Sequence, residues 1–181
     1  MLRGFWSSKL CLLDLNFFIF GYLRMNDRYS NWLREIDPAY FVFVLLVATY
    51  VVTAPLVLLQ FFVPSLKQPL QDPTFLQSFG LLGRFLLGSI IVPLVETASL
   101  QWFPIFLLRD KLGFHWILVI VLSATLFAQC HSYSTYYMIY AFMIGLVLAY
   151  GYAVLQETRG RAFLLICLVH GLRNGITSFT S

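Results

Sequence analysis

The chain has 181 residues, 60% of them hydrophobic and 11% charged, against about 25% charged in a soluble domain. That excludes an ordinary water-soluble fold and leaves a polytopic α-helical membrane protein, one domain whose helices bury their polar faces against each other. The net charge of +4 does not read as a nucleic-acid surface, because the basic residues flank the hydrophobic runs, where lipid headgroups and orientation rules account for them.

Along the chain, residues 1–38 read as an N-terminal cytoplasmic or interfacial segment and 39–181 as the membrane domain. Arg3 and Lys9 precede an apolar run, Leu10 to Leu23, which Asp14 and Asn16 interrupt, and no small-residue cleavage site follows. The run is short for a span, so it reads as an interfacial or re-entrant helix. Ala39 to Val63 is the cleanest span, uncharged throughout, with Pro38 suited to a first turn and Pro55 expected to kink it. Pro64, Pro69 and Pro73 then mark a loop. Phe75 to Leu108 is too long for one simple span, and Gly80, Gly83 and Gly88 are expected to break it or to permit close packing. Arg109-Asp110-Lys111 closes it at a membrane surface. His115 to His131, Tyr133 to Gln156 and Arg161 to Thr180 are the remaining spans.

These assignments predict an all-α polytopic transmembrane bundle of about five spans. An inside N-terminus gathers Arg3, Lys9, Arg24, Arg28, Arg34, Arg109, Lys111, Arg159 and Arg161 in the cytoplasm and leaves only Lys67 opposite, so the C-terminus is expected outside. Cys11, Cys130 and Cys167 lie in apolar stretches without CxxC spacing and read as small buried hydrophobes.

Against this background three polar signatures stand out: Glu96, then Phe127-Ala128-Gln129-Cys130-His131, then His170-Gly171-Leu172-Arg173-Asn174. Ionisable groups inside a bilayer are costly and mark functional paths or sites. A carboxylate and two imidazoles on separate apolar segments are the parts needed to activate water. A lone carboxylate at depth favours its neutral form unless a cation or donor meets it, and His131 and His170 are the candidates. His170 and Asn174 are four apart and share one helix face, as do Phe127 and His131, whose ring is expected to pack over the histidine. The competing structural reading makes each histidine a helix–helix hydrogen-bonding group and pairs Glu96 with Arg84 or Arg173. Arg173 itself is expected off the His170 face, snorkelling or paired with an acid. His115 sits at a span edge, and Tyr133, Tyr136, Tyr137 and Tyr140 read as an interfacial aromatic belt.

The order Pro-x-x-Glu, Phe-x-x-x-His, His-x-x-x-Asn resembles the CPBP family of intramembrane proteases, which includes the CAAX prenyl endopeptidases and the Abi bacteriocin-processing and self-immunity proteins. The resemblance runs from about Leu82 to Thr177, including the glycine-containing helix around Gly145. It implies a glutamate protease in which Glu96 and His131 deprotonate a water while His170 and Asn174 donate to the tetrahedral oxyanion. The implied substrate is a peptide or lipidated protein tail among membrane lipids, with no nucleic acid and no cofactor. The chain departs from the family's Glu-Glu-x-x-x-Arg at two positions, Thr97 and Gln101. Two other readings compete: the same Glu–His–His set holding a catalytic zinc, and a catalytically degenerate membrane module that binds a partner protein or a lipid. Span counting also sets a geometric condition. It places Glu96 and His170 near mid-membrane and His131 towards a helix end, yet the mechanism needs all three within reach of one another.

Overall fold

The computed structural model describes residues 28–63, 78–156 and 159–180; the run Leu10 to Leu23 and the proline-rich loop lie outside them. The described residues are helical with no strand: α1 (Arg28–Glu35), α2 (Pro38–Phe62), α3 (81–111), α4 (Trp116–Gln129), α5 (Thr135–Val154) and α6 (Arg159–Thr180). The bundle expected from composition is the fold. Three helices are long and apolar enough to cross a membrane, Pro38–Phe62, Leu82–Lys111 and Thr135–Val154, while Trp116–Gln129 is apolar but shorter.

Local chemistry sets the helix ends. Asp37 caps α2, its side chain accepting from the Ala39 amide at 2.8 Å, with Pro38 in the first turn where its missing N–H costs nothing. Gly113, at φ 70°, makes the left-handed residue that ends α3, and the Gly113 amide donates back to the Arg109 carbonyl. His115 is the N-cap of α4, accepting from Ile117 through Nδ1, so its place at the span edge is a capping one.

The expected break in the long third segment is absent. Gly80 is its N-cap, and Gly83 and Gly88 lie inside one continuous helix. That helix accommodates its length and two prolines by loosening into π-helical turns at Leu87–Ile91, Thr97–Trp102 and Phe106–Lys111. Such turns relieve an interrupted hydrogen-bond ladder and concentrate at functional sites.

The ladder interruptions tie the bundle together. In the first π-turn the Val92 amide donates to Leu87, one residue further back than in an α-helix. Pro93, next in register, has no N–H to give Gly88. The freed Gly88 carbonyl accepts instead from Asn174 Nδ2 on α6 at 2.9 Å. Near Pro104, where the Phe103 amide also donates five residues back, to Ala98, the Leu100 carbonyl accepts from Ser123 Oγ of α4 at 2.5 Å. An acceptor near each proline is thus used by a neighbouring helix.

α4 and α5 form the most extensive helix pair; α2 packs on α5 and α6, and α6 on the first half of α3. Gly145 lets α5 approach the α4 backbone near Ala124, and Gly171 lets α6 meet α3: a Cβ on Gly171 would fall 2.3 Å from the Ser89 carbonyl oxygen. The core is Phe41, Leu45, Val119, Phe127, Leu148, Tyr152 and Ile166 with their neighbours. At one end of the bundle Arg34 donates to the Val154 carbonyl at 2.8 Å and Gln156 to Asp110 at 2.5 Å, which gathers the ends of α1, α3 and α5. Among the described basic residues, Arg34, Arg109 and Lys111 therefore lie towards this one end. Gly171→Ala should cost about 1–3 kcal/mol in thermal unfolding, since the new methyl meets backbone, whereas Gly80→Ala, with nothing within 4 Å, should fall within about 0.5 kcal/mol of wild type.

Candidate functional site

Glu96 lies midway along α3, between the first two π-turns. Its carboxylate spreads between two imidazoles from different helices: Oε1 is 3.6 Å from His131 Nε2, and Oε2 is 3.4 Å from His170 Nε2. The convergence required by the sequence is therefore met. It follows from helix length. Fourteen residues make α4 about 21 Å long, less than the roughly 30 Å of a hydrocarbon core, so its end and the turn carrying His131 stop at the depth of Glu96. Both distances exceed an ordinary direct hydrogen bond, and a water fits chemically as the group the carboxylate and imidazole share.

The other ring nitrogens fix opposite roles for the two histidines. His131 Nδ1 lies 2.7 Å from the Phe127 carbonyl; a carbonyl only accepts, so Nδ1 carries the proton and Nε2 turns a lone pair toward Glu96. His170 Nδ1 is buried without a partner among the described residues. A proton there would be an unsatisfied buried N–H, whereas at Nε2 it faces a carboxylate oxygen, so Nε2 is the donor. One carboxylate oxygen thus faces an acceptor nitrogen, the other a donor. Phe127 stacks on His131 as expected, at 4.5 Å between centroids, and also meets His170 edge-on at 5.4 Å.

Asn174, the fourth residue singled out in the sequence, lies one turn beyond His170, with one amide N–H engaged by the Gly88 carbonyl. The structure brings Glu96, His131 and His170 together and sets Asn174 beside them as a bridge from α6 to α3, its second N–H not bound by any described residue. Among the described residues no set of three His, Cys, Asp or Glu is arranged to hold a metal ion.

Several expectations are corrected. Arg173 neither snorkels nor meets an acid: it is 2% exposed, donating to Thr49 Oγ1 at 2.7 Å, Thr53 Oγ1 at 3.3 Å and the Tyr140 hydroxyl at 2.8 Å, with Tyr50 and Tyr140 against its guanidinium face. Glu96 accordingly pairs with histidines, not with Arg84 or Arg173. Tyr136 and Tyr140 are buried, so the four tyrosines are not a simple interfacial belt; Tyr133 and Tyr137 continue from His131 as a run of ring contacts. Cys130 is exposed and Cys167 buried: the first lies in the turn after α4, beyond the packed part of that helix, and Cys11 is outside the described residues. Thr97 and Gln101 are wholly buried; Thr97 faces the Cys167 thiol, while the Gln101 amide meets no partner among the described residues. The threonines of α2 that receive Arg173 were missed; their one sequence signal is a pair at i and i+4 in an otherwise apolar span.

The sequence profile of the family described as "Rce1-like: Type II CAAX prenyl endopeptidase Rce1-like" matches residues 78–176, more than half of the chain and all of the site. No curated protein and no solved structure matches.

If Pro93 creates the acceptor that Asn174 fills, the two substitutions are coupled. Asn174→Ala should cost about 1–3 kcal/mol in the wild-type chain and clearly less in Pro93→Ala, where a restored amide reaches α3's own carbonyl; equal costs in a thermal double-mutant cycle would show that the proline plays no such part.

Proposed function

We propose that this chain, which belongs to the Rce1-like type II CAAX prenyl endopeptidase family, hydrolyses a peptide bond of a membrane-associated or lipidated protein tail through a water activated by Glu96 and His131. The observation that carries this reading is one half-buried carboxylate with an imidazole Nε2 from a different helix set beside each of its oxygens. Orientation follows charge: the basic end faces the cytoplasm and the C-terminus the other side.

A water between Glu96 and His131 donates one O–H to the carboxylate and the other to the Nε2 lone pair. Both protons are then held by acceptors, and an oxygen lone pair is left to attack the scissile carbonyl carbon. As the new C–O bond forms, Glu96 takes the proton, and the carbonyl π electrons move to oxygen. His170 Nε2–H and the second N–H of Asn174 are the donors for that oxyanion, one such donor lowering the barrier by about 3 kcal/mol. Collapse of the tetrahedral intermediate breaks the C–N bond, and the proton held by Glu96 passes to the leaving amine. No covalent enzyme intermediate is needed, and Cys130 and Cys167 have no role. Apolar surroundings strengthen each of these polar contacts.

The buried Gln101, whose amide meets no partner among the described residues, favours one other reading, a degenerate member that holds a membrane partner without cleaving it. Purified wild type should cleave a quenched peptide library in detergent, and Glu96→Ala should lose about 10²–10⁴-fold in rate while remaining folded. His131→Ala should fall similarly. Rates indifferent to chelator support the metal-free reaction; rates abolished by it and restored by zinc would replace it with zinc chemistry. Wild-type cleavage unaffected by Glu96→Ala would sink the mechanism.

A further inference from the structure

Arg173 is the one buried basic side chain among the described residues, and no described carboxylate lies within ion-pair distance of it. Every partner it has is neutral: two threonine hydroxyls, a tyrosine hydroxyl and two aromatic faces. These satisfy its donors without cancelling its charge, and an uncancelled cation in an apolar interior is expensive. Of the described carboxylates, Glu35, Asp37 and Asp110 are exposed, and Glu96 alone is drawn inside. His170 touches Glu96 through Nε2 and precedes Arg173 by three positions, one turn, on α6.

We infer that Arg173 is the counter-charge of the Glu96 carboxylate, paired with it across His170 without contact, and acts as a positioning residue for the polar centre. The separation has a chemical use. A guanidinium placed directly on the carboxylate would take up both oxygens in a bidentate clamp, leaving none for the histidines or a water. Set behind His170, it balances the charge and leaves both oxygens free. The hydroxyls of Thr49, Thr53 and Tyr140, from α2 and α5, take up its N–H donors and leave its charge to be balanced elsewhere. Other charged or titratable groups do not replace it. Arg84 lies twelve residues before Glu96 on α3, about 18 Å along the axis. His131 meets Glu96 with a lone pair, Tyr50, Tyr137 and Tyr140 are neutral phenols, and Cys167 is a buried thiol. From the π-turn after Glu96 come only Thr97 and Gln101, both uncharged.

A plain structural clamp joining α2, α5 and α6 would explain the same hydrogen bonds, and a thermal double-mutant cycle in detergent separates the two. If the charges balance each other, E96Q strands a buried cation and lowers the melting temperature. R173Q strands a carboxylate and lowers it too, and the double variant recovers at least half of the summed loss. Strictly additive losses, or E96Q melting at or above wild type, overturn the inference. T49V, which removes a hydrogen bond but no charge, should cost the same number of degrees with Glu96 or with Gln at that position; a cost that changes with residue 96 would mean that packing, not charge, couples the sites. Should R173Q fail to fold in both backgrounds, the sign of the E96Q shift decides alone. Melting needs no turnover, so an additive cycle leaves the proteolytic reading standing, and an inactive wild type leaves the charge pairing standing.

Discussion

One carboxylate organises the interior of this bundle. Glu96 sits among apolar helices where an unaccompanied charge is not tolerated, and what surrounds it is the company it requires: a lone pair from the end of α4, an N–H from α6, and a cation held at one remove. Each of these demands shapes a helix. α4 has to stop short so that His131 reaches inward, α6 has to approach α3 closely enough for glycine at 171, and α2 has to offer hydroxyls where its hydropathy would otherwise call for aliphatic groups. The polar centre is therefore a condition on the packing.

The prolines of α3 act on the same problem from the backbone side. A proline in a helix is ordinarily a defect because it leaves carbonyls without donors. Here Gly88 and Leu100, the acceptors released near Pro93 and Pro104, receive side-chain donors from α6 and α4. The two clamps lie on either side of Glu96 along the helix, so the segment carrying the carboxylate is fixed both before and after it. π-helical turns make this possible, since they shift the ladder by one residue and decide which carbonyl is left over.

Much of this was legible in the sequence. The helical membrane bundle follows from composition, and Glu96, His131 and His170 stood out because charge at depth is rare. Pro38 as a first-turn residue and Phe127 over His131 were readable, the one from its missing N–H and the other from a spacing of four. The misses share a physical cause. Arg173 finds Thr49 and Thr53 more than a hundred positions away, a relation no local period encodes, and a threonine in an apolar span looks like a mild interruption. The glycines of α3 suggested a break because propensity is local, while tertiary contacts kept the helix whole. The bond from Asn174 to Gly88, made beside the oxyanion role that the motif implies for this residue, depends on a one-residue shift in backbone register that side-chain patterns do not record.

The shortness of α4 reaches beyond the protein. A bilayer whose hydrocarbon layer is thicker than a neighbouring helix must compress, or the helix must tilt, at a cost that rises with every ångström of mismatch. Here the short helix ends in the turn that carries His131, so the lipids around it press on that turn. Membrane thickness, set by acyl-chain length and sterol content, thereby becomes a mechanical variable of the imidazole–carboxylate distance, and the same chain in membranes of different thickness would set that distance differently.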